Sequence, residues 1–272
     1  MSLSRVGGRG CREAAIRSSR AGRTPSMSLS RGGGRGCREA AGEGMIPIRH
    51  TLPRHKPPTI NRMLVIANVA VFIVMLFAGP AAETIMERLG FVPARLLNPG
   101  AYGYTMVEAL ITLVTSLFIH GGLVHLCGNM IYLWVFGGVI EDVLGHLRYL
   151  LFFIACGVVG SLVHTIVFAS SPIPSIGASG SIAGILGAFL VLRPRARIVT
   201  LFPLVVYWAM AEIRAFYFLP VWFAIQFFNG FAALAAAART QEAIGVAWWA
   251  HIGGFLFGAA VGAGLRWGRR RA

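Results

Sequence analysis

Residues 176–192 read IGASGSIAGILGAFLVL, seventeen residues without a charge, with Pro172 and Pro174 before them and Arg193 after. A helix needs about 20 predominantly apolar residues to cross a hydrocarbon core of roughly 30 Å. Comparable apolar runs occupy 63–78, 122–140, 149–169, 216–238 and 246–265, the fifth interrupted by Pro220. The apolar stretch 198–210 before that run is expected to lie along the interface or to extend it. The reading is an all-α polytopic membrane protein, a bundle of six transmembrane helices.

Composition agrees with this. The 272 residues are 56% hydrophobic and 13% charged, where a soluble domain carries about 25% charged residues. The net charge of +15 is not spread as a nucleic-acid surface would be. Twelve arginines and the only lysine fall within residues 1–62, and most of the others flank apolar runs. Such charge orients membrane segments and meets anionic headgroups, so the expected surroundings are the lipid bilayer, and no nucleic-acid partner is expected. Four cysteines, none at metal-ligand spacing, predict neither a disulfide nor a metal site.

The chain divides into a tail at 1–44, a basic lead-in at 45–62, the six-span region at 63–266 and a basic tail at 267–272. Residues 1–15, MSLSRVGGRGCREAA, are repeated at 27–41 with Gly32 in place of Val6. This Gly/Arg/Ser-rich duplication has too little apolar surface for a core and is read as a disordered extension, or as sequence upstream of a start at Met45. Its Arg/Ser bias also resembles an organellar transit peptide, against which Glu13, Glu39 and Glu43 argue.

Basic residues fix the expected orientation. Arg49, Arg54, Lys56 and Arg62 precede span one, and His146 and Arg148 separate spans two and three. Arg193, Arg195 and Arg197 follow span four, and Arg266, Arg269, Arg270 and Arg271 follow span six. The positive-inside rule then puts both termini in the cytoplasm. A bacterial inner membrane is the expected location, with an organellar membrane as the alternative.

Spans two, four and six therefore run inward from the outer side, and each carries polar residues near its start. These are His125 and Asn129, Ser179, and His251, roughly 5–10 Å below the surface at ~1.5 Å per residue. Polar groups at that depth are costly unless they face a protein interior or a water-filled cavity. Ser179 lies near a helix N-terminus, where free N–H groups favour negative charge, and Gly177 and Gly180 beside it permit close backbone approach. His251, Gly254 and Gly258 share one helix face, as do Ser179, Ala183 and Gly187. Packing these small-residue faces together would bring hydroxyl and imidazole within reach, as activation of a serine by a general base requires. His125 and Asn129, four apart, suit an oxyanion hole. His120 falls off that face, in the preceding loop. Taken singly, each motif could equally serve helix packing or interhelical hydrogen bonding. The only aspartate, Asp142, lies at the far end of span two, and the glutamates avoid span interiors. The expected arrangement is thus a Ser–His dyad without a carboxylate.

Together, the Gly177-Ala178-Ser179-Gly180 and Ala250-His251-x-x-Gly254-x-x-x-Gly258 motifs, the His120…His125…Asn129 pattern, Gly137-Gly138-x-x-Glu141 and the outer loop 79–121 resemble the rhomboid family of intramembrane serine proteases. The resemblance implies Ser179 as nucleophile and His251 as general base and acid. His125, Asn129 and the Ser179 N–H would form the oxyanion hole, with His120 and the motif glycines in support. It also implies substrates that are membrane proteins with a transmembrane segment, and no cofactor. An inactive relative that binds membrane clients is the alternative; a transporter would need polar groups across the whole bilayer. Two departures stand out. Ala183 occupies a position where many members carry an aromatic against which the histidine stacks. Ile111-Thr112 stands near a frequent Trp-Arg pair of the loop. The expectations are a less firmly held His251, and a gain in activity from Ala183→Phe wherever the seam admits the ring.

Overall fold

The computed structural model describes residues 45–53, 57–203, 208–240 and 247–271. The duplication within 1–44, Arg54 and Lys56 lie outside them. The fold is mostly helical. Among the described residues, five helices are long and apolar enough to cross a membrane, and Ser179–Leu192 is a shorter apolar helix.

After strand β1 (Ile46–His50), Pro57 and Pro58 precede helix α1 (Thr59–Phe77). Proline lacks an N–H and tends to end or begin helices rather than continue them. The first-turn donors of α1, which lack intrahelical partners, are met from another helix. Glu141 accepts from Ile60 N at 2.9 Å and Asn61 N at 2.8 Å. Glu141 is only 2% exposed and also meets His146 Nδ1 at 2.6 Å. The glutamate thus sits at a span end, as expected, yet buried, with a capping role that periodicity does not disclose.

The loop expected at 79–121 is itself folded, into α2 (Ala81–Leu89), α3 (Pro93–Leu97), a 3₁₀ turn (Pro99–Tyr102) and α4 (Met106–Thr115), followed by the turn Ser116–Phe118. Arg95, 4% exposed, ties it together by donating to the carbonyls of Glu87, Arg88 and Gly90 while lying 4.4 Å over the Tyr104 ring. Thr105 starts α4 with a reciprocal capping box to Glu108. The Thr105 N–H and hydroxyl hold the Glu108 carboxyl below the usual carboxylate range.

The second span joins α5 (Leu123–Tyr132), a π turn (Leu133–Gly137) and α6 (Gly138–Leu144). The π turn begins where Asn61 Nδ2 takes the Leu133 carbonyl at 3.0 Å, the kind of side-chain intrusion that loosens a helical ladder. Tyr149 OH donates to Asn61 Oδ1 at 2.7 Å and completes that cluster. Gly145, at φ +78°, turns the chain into α7 (His146–Val167).

Helix α8 (Ser179–Leu192) begins three residues later than the sequence predicts and runs only 14 residues, about 21 Å at 1.5 Å per residue. Residues 180–189 are all buried, as a helix apolar on every face requires. Strands β2 (Arg197–Pro203) and β3 (Trp208–Arg214) follow, then α9 (Ala215–Thr240) and α10 (Trp248–Arg271). The stretch expected along the interface is therefore largely strand. With β1 it forms a three-stranded antiparallel sheet in the order β1-β2-β3. Its β-branched Ile198, Val199 and Thr200 are buried, which suits extended backbone. The lead-in 45–62 thus contains β1 and the start of α1, and the tail expected from 267 continues α10 to Arg271.

The core is built where α8 meets α10 and α7. A Cβ added to Gly254 would run into Gly180 O, one on Gly258 into Gly184 O, and one on Gly262 would lie 3.1 Å from Ala188 Cα. The contacts advance by four residues on both helices, one turn each. Glycine is required because backbone meets backbone, as membrane helices pack in the absence of a hydrophobic drive between them.

Candidate active site

That glycine register fixes the site. Ser179 is one residue before Gly180 and His251 three before Gly254, so locking the two glycines together brings the side chains face to face. His251 Nε2 lies 2.7 Å from Ser179 Oγ. Slipping one helix by a single turn, about 5.4 Å, would separate them.

The turn into Ser179 is held from the 79–121 loop. Phe91 and Ser175 exchange backbone hydrogen bonds at 3.2 and 2.6 Å, Ala94 N donates to Ser171 O at 3.2 Å, and Gly177 N donates to Ser116 O at 2.9 Å. Gly177 has φ +116°, a conformation that favours glycine, and a Cβ there would come 2.8 Å from His125 Nε2. The glycine before the serine thus lets the backbone sit against the His125 imidazole. No side chain caps α8, so its leading N–H groups lack side-chain partners as well as intrahelical ones.

His125 and Asn129, on α5, join Ser179 and His251 in one cavity of about 110 Å³, walled by Tyr132, Ile182, Trp222 and Trp248. Asn129 Nδ2 donates to His125 O at 3.0 Å, which orients the amide and still leaves its second N–H. His120 is 2% exposed and packs edge-on against His125, ring centroids 5.1 Å apart. Gly180, Gly254 and Gly258 lie in the helix seam and Gly177 at the turn.

Two features of the site escaped the sequence reading. Gln226, on α9 and 1% exposed, lies with Oε1 2.7 Å from His251 Nδ1. The signal was available, since a glutamine inside an apolar run of membrane-spanning length is costly without a role. The second concerns Ala183, which is fully buried and leaves no ring beside the histidine from α8. Trp222 from α9 and Trp248 from α10 supply aromatic contact instead, with centroids 6.4 and 5.8 Å from the His251 ring. His251 is therefore flanked by one ring from a neighbouring helix and one from the first turn of its own.

A serine oxygen hydrogen-bonded to an imidazole, at an uncapped helix start and sharing a cavity with an amide, is a chemical arrangement suited to acyl transfer. Among the described residues no group of three or more His, Cys, Asp or Glu side chains could hold a metal ion.

Residues 107–268 match the family model described as the Rhomboid domain. Among curated proteins, the chain is 31% identical over 134 residues to "Rhomboid protease GluP" of Bacillus subtilis, covering 49% of this chain and 24% of that protein. It is 28% identical over 152 residues to "RHOMBOID-like protein 6, mitochondrial" of Arabidopsis thaliana, covering 47% and 49%. It is 30% identical over 151 residues to the mouse "Presenilin-associated rhomboid-like protein, mitochondrial", covering 54% and 36%. The matched part is thus half or less of each of these relatives.

Proposed function

This chain belongs to the rhomboid family, and on that premise we propose that it is an intramembrane serine endopeptidase acting on membrane proteins at or beside a transmembrane segment. The observation that carries the reading is the 2.7 Å contact between Ser179 Oγ and His251 Nε2 in a cavity lined by further donors. His251 takes the Ser179 proton as Oγ attacks the scissile carbonyl. The resulting oxyanion is held by the Ser179 N–H, His125 and the free N–H of Asn129. His251 then returns the proton to the leaving amine, and an acyl-enzyme remains. Water, deprotonated by the same imidazole, attacks the ester and releases Ser179. No cofactor is needed, because each proton removed by His251 is returned within the cycle.

The protein is integral to a membrane. We infer further that its orientation follows the arginine pattern, with both termini cytoplasmic and the site opening outward. A bacterial inner membrane is the first candidate; two of the relatives described above are mitochondrial by name, so an organellar membrane is the second. The test is cleavage of a single-span substrate by purified protein in detergent. Ser179→Ala should abolish both cleavage and labelling by a serine-directed phosphonate. Turnover by Ser179→Ala at the wild-type rate would refute the assignment.

A further inference from the structure

We propose that Gln226 is a positioning residue that selects the His251 tautomer able to act as a base. The proposal rests on the Ser179–His251 reading above. A neutral imidazole carries one N–H. For Nε2 to accept the Ser179 proton, that N–H must be on Nδ1. Gln226 Oε1, 2.7 Å from Nδ1, is a pure acceptor, so the contact pairs with Nδ1–H and leaves the Nε2 lone pair facing Ser179 Oγ. The opposite tautomer would turn Nδ1 lone pair toward Oε1 lone pair, at a distance where that repels, and would aim an N–H at a hydroxyl that has to lose its own proton.

The place of the residue fits this task. Gln226 and His251 lie 25 residues apart on neighbouring helices, so the contact belongs to the assembled bundle. Burial at 1% exposure keeps water from competing for Nδ1. In soluble serine proteases a buried carboxylate performs this orientation and also stabilises the imidazolium formed in the transition state. A carboxylate inside the bilayer is costly; an amide supplies the orientation through a dipole and no net charge. The dyad is thus completed by a neutral third group, where the sequence had suggested none.

The experiment combines ¹⁵N NMR of histidine-labelled protein in detergent with kinetics. The chain has seven histidines, and the His251 signals are assigned by their loss in His251→Gln. Wild type should show His251 protonated at Nδ1. Gln226→Met, close in size but without the carbonyl acceptor, should shift the population toward Nε2–H. Its kcat should fall about 10–10²-fold with KM and Tm unchanged, a smaller loss than the ~10⁴ seen when a soluble triad loses its orienting carboxylate. Gln226→Glu, which keeps an acceptor oxygen, should keep the Nδ1–H signal. A purely structural role would leave the tautomer unmoved in all three proteins. A wild-type Nε2–H signal overturns the proposal and needs no Gln226 variant, so a folding failure of Gln226→Met does not shield it. Equal kcat in Gln226→Met and wild type also overturns it. Failure of wild type to cleave any substrate or to take up phosphonate would instead remove the hydrolase reading, while the tautomer measurement would still report on Gln226.

Discussion

Gly258→Ala tests whether the seam between α8 and α10 sets the catalytic distance. An ideal Cβ on Gly258 would lie 2.6 Å from Gly184 Cα and closer still to Gly184 O. Ordinary van der Waals contact begins near 3.4 Å, so the backbones must part by at least roughly 0.8 Å. His251 is seven residues before Gly258, two turns along the same helix, and a rigid helix carries much of that displacement to the imidazole. Full transmission would open the 2.7 Å contact between His251 and Ser179 to about 3.5 Å, beyond a useful hydrogen bond. A misplacement of about 1 Å costs on the order of 10²-fold in rate, and overpacking of this kind costs about 1–3 kcal/mol in stability. The control is Gly264→Ala on the same helix, where an added Cβ meets nothing within 4 Å. Cleavage of a single-span substrate and thermal unfolding in one detergent are measured for both. Gly258→Ala is expected to lose rate by ~10² and to unfold at lower temperature; Gly264→Ala should match wild type in rate. Equal rate and stability in Gly258→Ala and Gly264→Ala would refute the argument that the glycine register positions the site.

His251→Ala should abolish cleavage at unchanged Tm, and retention of turnover would remove its assigned role. Asn129→Ala and His125→Ala should each slow turnover by less than the 10²–10³ typical of one oxyanion donor, because several donors converge; unfolding without a separate rate effect would make them structural. Ala183→Phe should now lower both Tm and rate, because Ala183 is fully buried and a ring there overpacks the core by about 1–3 kcal/mol; higher activity at unchanged Tm would contradict the packing. Glu108, its carboxyl held low by Thr105, stabilises the start of α4 above the ordinary carboxylate range, and that contribution is lost as pH falls through the lowered pKa. Hydrogen-exchange protection in the first turn of α4, taken relative to the intrinsic exchange rate at each pH, should therefore fall at acid pH in wild type and stay constant in Glu108→Gln.

Much of the architecture was legible because the bilayer imposes local rules. Length and apolarity mark a spanning helix without reference to any neighbour, and a polar residue within such a run stands out. Hence residues 59–77, 146–167 and 215–240 are helices close to where the sequence puts them, and the side chains singled out at Ser179, His251, His125 and Asn129 line a common cavity. The same logic applied to Gln226 would have marked it as costly, but a single polar residue carries no partner's name.

What the sequence alone determined was which segments are apolar enough to enter a membrane and which of them carry the candidate site residues. The tertiary structure decided what each polar group meets. The contacts His251–Ser179 and His251–Gln226 span 72 and 25 residues, and Glu141 reaches back 80 residues to cap α1. Periodicity records which face a residue occupies, not which helix that face will touch. The shortness of α8 and the strands at 197–203 and 208–214 were undecided for a related reason. An apolar run has the same composition whether it spans the bilayer or pairs as a sheet, and the choice falls to the backbone partners available once the bundle has formed.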